Sequence, residues 1–206
     1  MRRVIVFALG VWCVALAQPR AVEEQWPLFR GPGAGVIADD PALPDTWSET
    51  ENVAWKTKIP GLGWSSPIVW NDHVFLTSAI SEGKEAAPVA GLYDEHDHIK
   101  AAAAQHWTVF DVDFKTGKIR WQREVHSGAP PLLRHVKNSY ASETPVTDGE
   151  RVYVYFGSIG LVAALDFEGK TLWTKQIDAY NTQVDLGTGA SPALFKDKLF
   201  VVNDNV

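Results

Sequence analysis

Two stretches of the chain have similar sequences: DFKTGKIRWQ at 113–122 and DFEGKTLWTK at 166–175. In each stretch an Asp precedes a Gly-Lys pair, and a Trp follows the pair. The two Gly-Lys pairs are 52 residues apart, and so are the tryptophans, Trp121 and Trp173. Because the Gly-Lys pairs and the tryptophans show the same spacing of about fifty residues, the sequence predicts a repeat architecture.

Short β-prone runs separated by turn signals make up most of the chain. Three of them begin alike, with SSPIVWNDHVFLTS, SETPVTDGERVYVYFG and ASPALFKDKLFVVND starting at Ser65, Ser142 and Ala190. Each run is a strand, a tight polar turn and a second strand. In the first and middle copies, a third and a fourth strand follow. Four antiparallel strands repeated head to tail predict an all-β fold, a β-propeller of four-stranded blades.

The domain boundaries follow from this pattern. We predict a signal peptide at 1–17, an irregular lead-in at 18–51 and a partial propeller at 52–206. The propeller is expected to contain a closing strand at 52–59, a blade at 64–125 with an insertion near 78–104, a blade at 140–177 and a half blade at 189–206. About two and a half blades are present, whereas four to eight close a ring, which indicates a fragment from the N-terminal part of a longer protein.

The first seventeen residues have the features of a secretory signal. Arg2 and Arg3 give a positive start, an apolar run follows, and Ala15-Leu16-Ala17 fits a cleavage site. The alternative is a first buried strand or helix, and the apolar run is too short to span a bilayer. Cys13 is the single cysteine, so the mature chain would lack disulfides and thiolate sites. We expect an exported protein, periplasmic or extracellular.

The charge balance bears on the partner. Nineteen Lys and Arg stand against 25 Asp and Glu, which gives a formal net charge of −6. The acidic residues are not clustered, and no basic patch interrupts them. This argues against a nucleic acid or an anionic membrane as the partner, and it leaves an envelope protein or a small ligand at the propeller face.

The repeated motif predicts a packing device more than an active site. The Asp ends the third strand and can accept hydrogen bonds from the turn, while the Gly supplies a positive φ. The Trp lies on the outer strand, where its ring can fill the gap between adjacent blades. The motif residues are Asp113, Gly117 and Trp121 in the first copy and Asp166, Gly169 and Trp173 in the second.

The first copy resembles the repeat of quinoprotein-like propellers, Ala-x-Asp-x-x-Thr-Gly-Lys-x-x-Trp. It keeps every motif position except the Ala, where Asp111 stands, and the second copy has a turn shorter by one residue without the Thr. The opening WPLFRGPGAG at 26–35 is similar to that of secreted bacterial PQQ-binding-like β-propeller repeat proteins. The resemblance covers most of the mature chain and implies the propeller fold.

Two kinds of protein share this resemblance. Quinoprotein dehydrogenases bind pyrroloquinoline quinone (PQQ) and Ca²⁺ at the centre of an eight-bladed ring, whereas other members bind no cofactor and present a surface to partners. The chain has no Cys-Cys pair, and no position matches the dehydrogenases' acidic calcium ligand or catalytic Asp. We predict a non-catalytic binding or scaffold module without a cofactor. The alternative is part of an alcohol or sugar dehydrogenase that depends on PQQ and Ca²⁺.

The predicted insertion holds a cluster that suits a metal ion. It contains YDEHDHIKAAAAQHW at 93–107, in which His96, His98 and His106 offer imidazole ligands among carboxylates. The competing interpretation is a solvated polar loop on the propeller rim.

A second cluster, RHVKNSYASETP at 134–145, connects the two blades. Such loops line the propeller face on which ligands and partners bind. Arg134, His135, Asn138 and Glu143 are therefore candidate ligand-binding residues. The alternative is an ordinary loop whose polar groups satisfy nearby backbone. No catalytic residue is predicted, because the carboxylates form no recognisable acid/base pair and no Gly-x-Ser-x-Gly elbow is present.

Overall fold

The computed structural model describes residues 25–36, 38, 40–84, 91, 94, 97–180 and 185–203, so the predicted signal peptide lies outside the described residues. A single 3₁₀ turn at Gly157–Ile159 interrupts the described strands. The strands are β1 Ile68–Trp70, β2 His73–Ser81, β3 His98–Ile99, β4 Gln105–Asp113, β5 Ile119–Gly128, β6 Arg134–His135, β7 Val146–Thr147, β8 Arg151–Phe156, β9 Leu161–Asp166, β10 Thr171–Gln176, β11 Ala193–Phe195 and β12 Lys198–Phe200.

These strands form two antiparallel blades, a hairpin and a two-stranded ladder of β3 with β6. The first blade has the order β1-β2-β4-β5, the second has the order β7-β8-β9-β10, and β11 pairs with β12. The described residues form no closed ring. The prediction of an all-β propeller with four-stranded blades is confirmed. Within the described part, no helix has the length and apolar character needed to cross a membrane.

The core lies between the two blades. The central strands β2, β4, β8 and β9 are mostly buried, whereas most residues of the outer strands β5 and β10 face solvent. One buried cluster joins side chains of the first blade, such as Phe75 and Trp107, to side chains of the second, such as Phe156 and Ala163. Burial of these apolar surfaces drives the two sheets together.

A tryptophan of each unit packs on the glycine turn of the next blade. The ring of Trp121 lies against Gly169, which has a φ of +81°, and a Cβ at that position would sit 2.7 Å from the ring. The indole Nε1 of Trp121 also donates to the carbonyl of Phe167 at 2.7 Å. The ring and its polar edge thus both bind the turn between β9 and β10.

Trp55 makes the same contact one blade earlier. Its ring lies against Gly117, which has a φ of +70°, and its Nε1 donates to the carbonyl of Phe114 at 2.8 Å. The surrounding residues 52–59, predicted as a closing strand, join no strand ladder among the described residues. A fourth strand needs a third strand of its own blade to pair with, and no described strand lies beside this segment. The tryptophan contact therefore occurs here without the strand.

The Asp of the repeat organises the same turn. Asp113 accepts hydrogen bonds from the backbone N–H and the hydroxyl of Thr116, both at 2.8 Å. The Thr116 hydroxyl, followed by the Arg120 guanidinium, lowers the pKa of Asp113 to about 2. In the second blade, Asp166 accepts from the backbone N–H of Lys170 at 2.7 Å. Both turns are thus held by a carboxylate at their first residue.

The lead-in lies on the inner edges of both blades. Trp26 and Val69 exchange two backbone hydrogen bonds of 2.9 Å, and the N–H of Thr147 donates to the carbonyl of Pro27 at 2.9 Å. The backbone groups that β1 and β7 would expose at their inner edges are thereby paired at these positions. The start of the described chain is thus a structural part of the propeller.

We expect Gly169→Ala to destabilise the protein by about 2 kcal/mol, because the position requires a positive φ and the added methyl group meets the Trp121 ring. Trp121→Ala should cost about 3 kcal/mol through the loss of that packing. The double variant should cost less than the sum, because the steric part of the glycine penalty disappears with the ring. Urea unfolding of the four proteins measures this coupling.

The matched control is Trp173→Ala, at the same repeat position on β10. Trp173 is 41% exposed, so its truncation should cost about 1 kcal/mol or less. Additive costs for Gly169→Ala and Trp121→Ala would contradict direct packing of the ring on the turn.

Candidate functional site

The strands that begin the blades are joined at one face by a hydroxyl relay. Ser66, Thr144 and Ser191 occupy the same position in three successive units, each directly before a proline. The N–H of Ser66 donates to Thr144 Oγ1 at 3.0 Å, and the N–H of Thr144 donates to Ser191 Oγ at 2.9 Å. The hydroxyls of Thr144 and Ser191 therefore each accept a hydrogen bond from a backbone N–H of the preceding unit and retain their own hydrogen.

A groove of about 360 Å³ opens beside this relay, and we call it the rim groove. Two aromatic side chains in its wall are partly exposed, Phe29 at 47% and Trp64 at 44%. Its walls include Phe29, Trp64, Asn138, Ser142, Thr144 and Ser191.

Both aromatic rings stand on defined backbone. Phe29 lies in a tight turn closed by the hydrogen bond from the N–H of Gly31 to the carbonyl of Leu28, at 2.9 Å. Trp64 donates its backbone N–H to the carbonyl of Ala141 at 3.0 Å and its indole Nε1 to that of Lys137 at 2.6 Å. The groove is therefore formed by the lead-in and by the connections between blades.

Asn138, one of the predicted ligand-binding residues, joins two of these connections. Its amide Nδ2 donates to the carbonyls of Leu186 at 2.8 Å and Thr188 at 3.2 Å. Gly187 lies so close that a Cβ there would sit 2.7 Å from that nitrogen. The side-chain oxygen of Asn138, Oδ1, accepts hydrogen bonds from the Ser142 hydroxyl and the Ser139 N–H. Asn138 thus fixes one wall of the rim groove.

Glu143, a second predicted residue, lies beneath this face with its side chain buried. Burial raises the pKa of its carboxyl, while the Thr188 hydroxyl and the Gly157 N–H oppose that shift. The Gly157 N–H donates to Oε1 at 3.1 Å. Among the described residues, neither Glu143 Oε2 nor the hydroxyl of nearby Tyr155 has a hydrogen-bond partner. Burial raises the pKa of Tyr155 to about 12, and the charge of Glu143 adds to that effect.

The described contacts of the Arg134 and His135 side chains are with residues outside the groove or with backbone carbonyls. The guanidinium of Arg134 is buried, lies over the Tyr140 ring and donates to the carbonyl of Asn138 at 2.6 Å. The Nε2 of His135 donates to the carbonyl of Asp94 at 3.0 Å. Of the four predicted ligand-binding residues, Asn138 lies in the groove wall, and Arg134, His135 and Glu143 are not among its lining residues.

The metal prediction divides into three positions. His96 lies outside the described residues. His98 lies on β3, which pairs with β6 so that His98 faces His135 across the ladder. This pairing brings the insertion against the connection between the blades, a contact that the sequence analysis did not anticipate. Within the described ranges, no three His, Cys, Asp or Glu side chains are grouped so as to hold a metal ion.

His106 lies on β4, and a carboxylate lies within hydrogen-bond distance of each of its two ring nitrogens. Nδ1 is 2.8 Å from a Glu124 oxygen, and Nε2 is 3.1 Å from a Glu82 oxygen. The hydrogen bond to Glu124, with a smaller contribution from Glu82, raises the pKa of His106 above its ordinary value. The arrangement favours the protonated, ion-paired form of the His106 ring on the sheet surface.

The lining of the rim groove does not suit PQQ, the cofactor of the alternative interpretation. PQQ carries three carboxylates, which require cationic or multiple N–H donors. The described lining consists of aromatic, hydroxyl, amide and small apolar residues and includes no Lys or Arg. Glu143, the carboxylate behind the groove, is buried and already accepts a backbone N–H.

The aromatic and hydroxyl residues of the groove were missed by the sequence analysis. The relay had a visible signal, because a Ser or Thr precedes a Pro at the start of each unit, at Ser66, Thr144 and Ser191. Phe29 had a weaker one, the WPLFRGPGAG segment, and Trp64 had none beyond its place before the first strand.

A family model described as "Outer membrane protein assembly factor BamB" matches residues 36–205, well over half of the chain. A search of curated proteins finds no match.

The ion pairs of His106 predict a pH dependence. Because the folded pKa is raised, the imidazolium stabilises the protein fully below the unfolded pKa of about 6.5, and this contribution is lost as the pH rises through the folded pKa. NMR titration of the His106 ring should give a higher pKa in the wild type than in Glu124→Gln. Glu150→Gln, a charge-matched change remote from His106, should leave it in place. Equal pKa values in wild type and Glu124→Gln would contradict the pairing.

Proposed function

The chain belongs to a family of PQQ-like β-propeller repeat proteins, and we propose that it acts as a non-catalytic scaffold that binds a protein partner in the bacterial envelope. The family is associated with that compartment, and the matching description names an assembly factor, a role exerted through binding. The basic N-terminal start followed by an apolar run and a small-residue cleavage pattern supports export of this chain.

The observation that carries the proposal is Trp47, which is 70% exposed. It stands on a short loop braced from both sides: the Asn52 side chain donates to the carbonyl of Thr46 at 2.8 Å, and the N–H of Ser48 donates to the carbonyl of Glu51 at 3.1 Å. A tryptophan held on a braced loop loses little conformational entropy on binding, and tryptophan is among the residues that dominate protein interfaces.

Two further apolar residues of the lead-in, Val36 and Leu43, are also mostly exposed. A second group of exposed large apolar side chains, including Phe195 and Val202, lies near the end of the described chain. Exposed apolar side chains are candidates for an interaction surface, and Trp47 is the most exposed tryptophan among the described residues. We define the partner surface as Val36, Leu43 and Trp47.

A photoactivatable tryptophan analogue, which keeps the indole ring, is introduced at position 47 of the full chain, and the protein is incubated with envelope vesicles to test the proposal. We expect one discrete crosslinked protein, because a buried Trp anchor contributes about 2 kcal/mol to binding. Unlabelled wild-type protein should compete for that product, and the Trp47→Ala variant should compete roughly thirtyfold less well.

The matched control is the same crosslinker at Phe114, which is 50% exposed in the turn between β4 and β5. It should not give the product obtained at position 47. Identical products from both positions, or none at 47, would overturn the partner surface. Reduction of a dye by the purified chain with PQQ, Ca²⁺ and an alcohol or sugar would instead support the oxidoreductase alternative.

A further inference from the structure

The rim groove has the lining of a site for a neutral, hydroxyl-rich molecule. Phe29 and Trp64 both line it, and roughly half of each side chain is exposed. The face of an aromatic ring carries partial negative charge and attracts the weakly positive C–H groups of a saturated ring. The Trp64 ring is held by its indole hydrogen bond and Phe29 lies in a closed turn, so little freedom is lost when a ligand packs on them.

Hydroxyl groups supply the polar part of the groove. Thr144 is buried, and its hydroxyl accepts the N–H of Ser66. Ser191 accepts the backbone N–H of Thr144 and is only partly buried, so its hydroxyl has an O–H to donate and one lone pair to accept with. A ligand hydroxyl can serve either need, because it donates and accepts at once. A purely apolar ligand would strip water from these groups without replacing the hydrogen bonds.

The charge of the lining excludes other ligand classes. The described lining carries no Lys, Arg, Asp, Glu or His. The Arg30 guanidinium lies 5.7 Å from the centre of the Phe29 ring but is not among the lining residues. An anion would also meet a protein of net charge −6, while a cation would find no carboxylate in the described wall. The groove volume of about 360 Å³ lies at the lower end of small-molecule sites.

We propose that the rim groove binds a neutral saccharide of one or two sugar rings. A sugar offers C–H faces to Phe29 and Trp64 and hydroxyls to Ser191. An extended peptide is less well matched, because peptide recognition by strand addition uses exposed backbone N–H and C=O groups, whereas this groove presents side-chain hydroxyls. The site is independent of the partner surface, since Trp47 is not among the lining residues.

Saturation-transfer NMR on the full chain tests this with glucose, galactose, N-acetylglucosamine, maltose and cellobiose as probes. We expect transfer to the ring C–H protons of at least one sugar, with a dissociation constant of about 1 mM. Glucose 6-phosphate and glucosamine should bind more weakly than glucose because they bring a charge into a neutral groove. A proline-rich decapeptide serves as the peptide probe.

Phe29→Ala should weaken sugar binding about tenfold, since it removes one of the two rings. Phe114→Ala is the matched control, because Phe114 has the same chemistry and similar exposure outside the groove. Trp64→Phe should retain most of the binding and Trp64→Ala should lose it.

Three results would overturn the saccharide site: no transfer to any sugar at concentrations up to about 50 mM, equal effects of Phe29→Ala and Phe114→Ala, or binding of the decapeptide alone. Trp47→Ala should leave sugar binding unchanged. A failure of the partner surface and a failure of the saccharide site therefore give different results.

Discussion

The contact between a tryptophan and the glycine turn of the following blade fixes the spacing of the whole structure. The indole edge donates to a carbonyl of the turn and the ring covers the glycine, in Trp121 on Gly169 and in Trp55 on Gly117. A side chain larger than hydrogen at either glycine would push the ring away, and a smaller ring would leave a void. At the outer strands, the distance between blades is thus set by the thickness of the tryptophan ring that lies between them. At the inner strands, it is set by the hydrogen bonds of the hydroxyl relay. Repeating both contacts stacks the units in one direction.

The inner side of the propeller shows how the same stacking produces a binding face. The fourth strand of a blade ends, and the next inner strand begins, on the same face, so the connections between blades collect there. The lead-in adds Phe29 to this face and the connection before β7 adds Asn138. The rim groove thus draws on parts of the chain that are far apart in sequence, which is typical of sites built on a repeat scaffold.

Sequence reasoning reached the fold because the fold depends on local, repeated signals. Short β-prone runs between turn signals and a Gly-Lys turn in two copies were enough to predict four-stranded blades. It could not place the walls of the groove, because Phe29 and Trp64 come together only after the lead-in has paired with β1 and β7. It also could not tell that Arg134, a charged loop residue by sequence, would be buried over Tyr140 and donate to the carbonyls of its own loop. Which polar groups are consumed by the backbone is a property of tertiary structure.

The pairing of the lead-in with both inner strands has a consequence for the order of assembly. The N–H of Thr147 donates to the carbonyl of Pro27, and most of the described chain lies between these two residues. Closing so long a loop carries a large entropic cost. That cost can be recovered only once both blades are formed and adjacent, so the lead-in closes late and acts as a latch over a finished pair. Phe29 follows directly in sequence, and the rim groove therefore becomes complete only in molecules whose two blades have already docked.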